Sequence, residues 1–313
     1  MNEIIQNIAL ILSSTLMYST PLIYTALGGV MSENSGVINI GLEGMMTIGA
    51  FIGATVGYFA HNAWLGLLAA AIVGGLMGLI HAIASISFGA DQVVSGIAIN
   101  FLGPGLALFL SGILFDGAKQ TKPLSLGDKI PRPLNGVFPD NSFFDIVLNR
   151  YATVYIAFIL VFVVWYVLYK TKLGLRIRAV GEHPKAADTL GVNVYAVRYF
   201  SVIMSGVLAG IGGASMSLAI VSNFRPTLVS GHGFIALAAM IFGKWKPQGA
   251  MWACLLFGAA QGLTIFIGGT TLEVSESILS MLPYVLTIII LIGFVGRANA
   301  PSASGQPYEK GGK

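Results

Sequence analysis

The stretch GVINIGLEGMMTIGA, residues 36–50, decides how the chain is read. It opens an apolar run that reaches residue 60, yet it carries Asn39 and Glu43 inside that run. An α-helix needs about 20 apolar residues to cross the hydrocarbon core of a bilayer. Comparable runs recur along the whole chain, near 4–28, 64–88, 92–115, 151–169, 199–222, 226–243, 248–269 and 280–296. Of the 313 residues 55% are hydrophobic and only 10% are charged, whereas soluble domains carry about 25% charge. The chain is therefore read as an all-α polytopic membrane protein with about nine (8–10) transmembrane helices. The runs are apolar on all sides, which argues against a barrel, where alternate residues would be polar. The 40 glycines suit helices in close contact within lipid.

Charge sets the expected topology. The first basic residue is Lys119, and only Glu3, Glu33, Glu43, Asp91 and Asp116 carry charge before it. Residues 170–198 hold Lys170, Lys172, Arg176, Arg178, Lys185 and Arg198 against Glu182 and Asp188, so this loop is expected in the cytoplasm. One span away, the loop 116–150, with four aspartates and four prolines, is expected outside. The transmembrane domain is taken as 1–296, and the polar tail 297–313 is expected in the cytoplasm and unable to fold alone. Ser32, Glu33, Asn34, Ser35 and several glycines interrupt the run containing Glu43, which makes it the candidate for a broken or re-entrant helix. The N-terminus lacks a basic n-region and a cleavage site, so 4–28 is expected to be a retained helix. The excess of basic residues is concentrated beside apolar runs, and nucleic acid is not expected as a partner. Cys254 stands alone in an apolar run, which excludes a disulfide within the chain or a cysteine metal cluster.

A carboxylate at membrane depth is costly, so Glu43 is expected to face the bundle interior or a cavity. Gly36, Asn39, Glu43 and Thr47 follow helical spacing along one face. Two readings of Glu43 stand: it lines a translocation route with Asn39, or it accepts hydrogen bonds from neighbouring helices and from the freed amides of a broken one. Asn100, beside Phe101 and before Pro104, also allows two: contact with a sugar hydroxyl or base edge, or an interhelical hydrogen bond near a kink. His81 and Gln261 are read as packing residues, and His232 as a loop residue. The chain has no H-E-x-x-H, G-x-S-x-G or G-x-x-x-x-G-K-[ST], so neither a catalytic residue nor ATP hydrolysis is expected of it. The 36–50 region and its following helix resemble 231–245 and its following helix, and the order is that of an inverted repeat.

In the basic loop, Pro184 can start a short helix and Gly191 can stop it, which predicts two turns over Lys185 to Leu190. Ala186 and Ala187 leave one side low, and Leu190 offers an apolar knob. The pattern formed by Arg178, Ala179, Val180, Gly181, Glu182, Pro184, Ala186, Ala187 and Gly191 to Val194, followed by SGVLAGIGG, resembles the coupling loop of bacterial ABC importer permeases. The branch is the one that handles ribose and other simple sugars, nucleosides and branched-chain amino acids. SENSGVINIGLEGMMTIGAF, residues 32–51, and GHGFIALAAMIFGKWKPQGAM, residues 231–251, also resemble that branch, and the likeness covers about residues 20–296.

The resemblance implies a non-enzymatic permease subunit that docks a separate ATPase through Gly181, Glu182, Pro184, Ala186, Ala187 and Gly191. ATP and magnesium would then belong to the ATPase, with no cofactor or metal in this chain. The wording of 32–46 is most similar to nucleoside permeases, which receive substrate from lipoproteins of the basic-membrane-protein type and commonly pair two different permeases. Asn39, Glu43, Asn100 and Phe101 are the candidate path residues. The alternatives are a permease for ribose or another simple sugar, an ion-coupled carrier using Glu43, and a membrane scaffold. The family's text fades in the loop 116–150, which leaves substrate choice open there.

Overall fold

The computed structural model describes residues 3–268, Met281, Val285 and 299–310. The described residues form helices and no strands. The expected run 280–296 falls outside them apart from Met281 and Val285. The long helices are α1 (Glu3–Glu33), α2 (Leu42–Phe59), α3 (Ala63–Ala82), α4 (Gln92–Leu114), α6 (Ala152–Lys170), α9 (Val194–Ser215) and α11 (Pro247–Gly268). Shorter ones are α5 (Phe143–Leu148), α7 (Lys172–Glu182), α8 (Pro184–Thr189) and α10 (His232–Phe242). Wider π-type turns extend α3 over Ile83–Ser87 and α9 over Met216–Ile220. Among the described residues seven helices are long and apolar enough to cross a membrane, and α10 is apolar but shorter.

Local sequence explains where several helices begin. Asn62 caps α3 by accepting from the Trp64 and Leu65 amides, and Asp91 caps α4 through Val93 and Val94. Asn193 caps α9 through Ala196. Each supplies an acceptor for amides that have no partner in the first turn. The helices then cross where glycines remove side chains. A Cβ on Gly74 would lie 2.3 Å from the Gly206 carbonyl oxygen, and one on Gly49 would lie 2.5 Å from Gly210. Without a hydrophobic drive between helices in lipid, such backbone contact carries the association. Helix α9 is thereby clasped between α2 and α3, while α4 turns Phe101, Phe109 and Ile113 outward.

The ends of the bundle are defined by contacts. At the basic end, Ala303 N donates to the Gly181 carbonyl and Gly305 N to that of Gly36. At the far end lies the loop 116–150, where Leu124 N donates to Ser222 O and His61 Nδ1 lies 2.9 Å from the Asp128 carboxylate. Helix α1 reaches the basic end, after which residues 34–41 turn back into the bundle before α2 starts. Helix α9 reaches the far end, after which residues 221–231 turn back before α10 starts. Helices α2 and α10 then run in opposite directions, α2 to the far end and α10 to the basic one. This is the inverted arrangement of repeats. The sequence singles out one interrupted run; the structure has two, 36–60 and 226–243, each helical only in its later part.

Candidate substrate path and coupling surface

The two returning segments meet at Glu43. One carboxylate oxygen accepts from Gly231 N and the other from Gly233 N, both at 2.7 Å. Gly231 holds φ at +92°, a left-handed backbone that aims the first amides of α10 at α2. An anion at a helix N-terminus is favoured by the free amides and the helix dipole together. The eleven residues of α10 rise about 16 Å, so this junction lies deep below the basic end. Glu43 is half-buried.

The returning backbone of 36–41 is paired largely by side chains. Ser32 Oγ donates to Val37 O (2.7 Å), and Ile38 N donates to Gln92 Oε1 (2.7 Å). His81 Nε2 lies 3.0 Å from Ile38 O, and its Nδ1 lies 2.9 Å from Ser95 Oγ. Asn100 bridges the turn into α2, donating to Ile40 O at 3.0 Å and accepting from Gly44 N at 2.8 Å. Asn39 is fully buried and donates to Ser205 Oγ on α9 at 3.0 Å. Backbone that leaves the helix at membrane depth survives only with such partners.

Of the four path candidates, Asn39, Glu43 and Asn100 therefore converge on the start of α2, where each makes structural hydrogen bonds. Phe101 does not join them; it is 77% exposed on the outer face of α4. Gln92 and Ser205 were not singled out by sequence. Gln92 had a faint signal, a polar residue directly after the capping Asp91, and Ser205 only its place at the head of the SGVLAGIGG stretch.

At the basic end, Thr171 caps α7 through Gly174, and Pro184 opens α8. Gly191 closes α8 with φ +81°; its amide donates to Asp188 O and that of Val192 to Ala187 O, the paired bonds of a left-handed helix stop. Leu190 is 85% exposed, and Glu182, Lys185 and Ala186 also face out. Ala187 is buried, so it seats α8 on the protein and offers no surface of its own. Gly181 is a packing position too: a Cβ there would lie 2.2 Å from Asn34 O.

The tail takes its order from the same end. Ser302 Oγ donates to the Glu182 carboxylate (2.8 Å), buried Arg198 donates to Gln306 O (3.0 Å), and Tyr195 donates to Tyr308 O (3.1 Å). Burial, with the Asp188 carboxylate beside it, holds the Tyr308 hydroxyl above its ordinary range. Trp245, at the end of α10, donates to Glu33 at 2.5 Å and accepts from Asn34 at 3.1 Å. A cleft of about 410 Å³ opens between α8 and the tail, lined in part by Glu182, Pro184, Ala186, Ser302 and Gln306. Among the described residues no cluster of His, Cys, Asp and Glu could hold a metal.

Two returning segments inside a helical bundle, with a short helix pair on the basic end, define a multi-pass membrane permease. Residues 11–291 match the family described as branched-chain amino acid transport system / permease component, and the chain belongs to that family. It is 48% identical to the guanosine ABC transporter permease protein NupQ of Bacillus subtilis (strain 168), over 99% of each chain. It is 43% identical to the nucleoside ABC transporter permease protein NupC of Lactococcus lactis subsp. cremoris (strain MG1363), over 98% of this chain and 99% of that one. The guanosine ABC transporter permease protein NupP of Bacillus subtilis (strain 168) is 26% identical, over 88% of this chain and 79% of that one.

Proposed function

We propose that this chain is a permease subunit of an ABC importer for nucleosides. The observation that carries the reading is near-full-length identity of 48% and 43% to permeases named for guanosine and nucleosides. A permease for a simple sugar is the weaker reading. An ion-coupled carrier would need Glu43 free to take a cation, and both its oxygens are held by amides.

In this reading the basic end faces the cytoplasm and the loop 116–150 faces outside. The exposed side of α8, with Ala186 and the flanking Glu182 and Leu190, docks a separate ATPase that binds ATP and magnesium. Ala187, Gly191 and Gly181 keep that helix in shape and place. Glu43 borders the path, while Asn39 and Asn100 hold the turn that positions it. Bacillus subtilis has two guanosine permease proteins, one 48% and one 26% identical to this chain. That supports a partnership with a second, different permease; in this reading an external binding lipoprotein would deliver the substrate to the pair.

The test is uptake of labelled guanosine, uridine and ribose in cells lacking the chain and in cells with it restored. Nucleoside uptake lost and regained with the chain is the expected result. Ribose uptake alone following the chain would move it to sugars.

A further inference from the structure

Residues 221–231, between the far end of α9 and the start of α10, present two different faces. Phe224 fixes their depth: its ring meets Phe51 edge-on with centroids 5.4 Å apart. Phe51 lies eight residues before the end of α2, about 12 Å along the helix. Phe224 N donates to Thr121 Oγ1 at 2.9 Å and Phe224 O accepts from Thr121 N at 3.1 Å. Phe224, Leu228 and Val229 are buried, while Arg225, Thr227 and Ser230 are exposed. No acidic side chain among the described residues pairs with Arg225.

Irregular backbone at this depth is tolerated only under protein or beside water, and arginine facing acyl chains is strongly unfavourable. Lipid is thereby excluded from the exposed face. A covering protein would be met by an apolar patch at the core of its contact, and this face offers a single proline, Pro226, between a cation and two hydroxyls.

We infer that Arg225, Thr227 and Ser230, with Glu43 at their foot, form a wall of the solute path, and that Arg225 selects solutes presenting acceptor atoms. The choice of solute rests on the nucleoside reading above. A guanidinium carries parallel N–H donors that fit two adjacent acceptors, as on the N7/O6 edge of guanine; adenine presents a donor in place of O6. The hydroxyls of Thr227 and Ser230 suit those of ribose.

Cys254, the one cysteine of the sequence, is buried, so introduced cysteines report alone. Thr227→Cys and Ser230→Cys, in the assembled transporter in cells, are treated from outside with a membrane-impermeant thiol reagent. Phe109→Cys on the outer face of α4 serves as the apolar control. We expect labelling at 227 and 230, slowed severalfold by saturating guanosine, and none at 109. Arg225→Gln, at parental abundance, should lower guanosine uptake relative to adenosine about tenfold. Absence of labelling at both sites, or labelling that guanosine leaves unchanged while uptake is intact, would overturn the wall. An unchanged guanosine-to-adenosine ratio would remove Arg225 as selector. Labelling in a transporter whose parent takes up no nucleoside would overturn the nucleoside reading and leave the wall supported.

Discussion

Replacing Glu43 separates its role as a cap from its proposed place beside the path. The carboxylate accepts two backbone bonds of 2.7 Å from Gly231 and Gly233. Hydrogen bonds to a charged group contribute about 1.5–3 kcal/mol each. Glu43 is half-buried, so water can recover part of the loss and the lower figure applies. Glu43→Ala should then cost about 3 kcal/mol, near 6 °C of thermal stability if each kcal/mol is worth about 2 °C in a chain of this length. Gln keeps one acceptor oxygen but turns its NH₂ toward the second amide. It loses one bond and the charge, about 2 kcal/mol or roughly 4 °C. Asp, one methylene shorter, cannot span both amides and should resemble Ala. The assay is loss of the monodisperse detergent-solubilised protein on heating, run beside nucleoside uptake at matched membrane abundance. An Ala variant that melts with the parent would refute the capping argument, whatever its uptake. Lost stability with uptake per molecule unchanged would instead remove Glu43 from the path.

Four further outcomes follow from the same contacts. Gly103→Val should lower membrane abundance sharply, because its Cβ would sit 2.2 Å from the Gly44 carbonyl oxygen, whereas Gly105→Ala, with nothing within 4 Å, should be silent; quantitative immunoblotting of membranes decides it. Leu190→Glu should leave abundance intact and weaken ATPase co-purification, since Leu190 is 85% exposed, while Ala187→Trp should unseat α8 and lower abundance as well. Gly191→Val should cost about 1–2 kcal/mol by forcing a branched residue to φ +81°, read as a lower melting temperature, with Gly191→Asn milder. Gly181→Ala should keep the ATPase bound yet reduce uptake per transporter several-fold, because the added methyl pushes the 34–36 turn away; unchanged uptake would count against that contact as a coupling point.

The membrane class was legible because hydropathy does not depend on tertiary structure, and α8 was legible because Pro184 and Gly191 act locally. The extended segments were harder to read. Val37, Ile38 and Ile40 are as apolar in a returning strand of chain as in a helix, so hydropathy cannot tell the two apart, and Gly231 gives its left-handed turn no louder signal than other glycines. Asn100 and Phe101, as adjacent residues of one helix, point about 100° apart, so they could not both face one path; spacing alone carried that information. Which of Ala186 and Ala187 faces out depends on how a two-turn helix is seated, and composition is silent on that. Glu43 was recognisable as an anomaly, but its partners lie 188 and 190 residues away, beyond the reach of local pattern.

If an ATPase docks on α8 as proposed, the contacts at the basic end offer a route by which its push could reach the middle of the membrane. Gly181 places the end of α7 directly on the Asn34 backbone, with no side chain between to absorb a displacement. Asn34 and Glu33 are bonded in turn to Trp245, three residues past the end of α10 and tied to it by the bond from Trp245 N to Met240 O. Helix α10 is a single short rod whose other end is held by Glu43 at the start of α2. Packed interiors move as discrete units instead of deforming smoothly, so α7, the 34–41 turn and α10 can shift together, and α2 must follow through Glu43. The tail ties Glu182 and Arg198 to the same assembly, which keeps α8 from swinging independently. A route of this kind is physical only if its links carry energy: the Gly181 variant probes its first link and the Glu43 variants its last, and a path that still opened with both broken would have to be driven through α9.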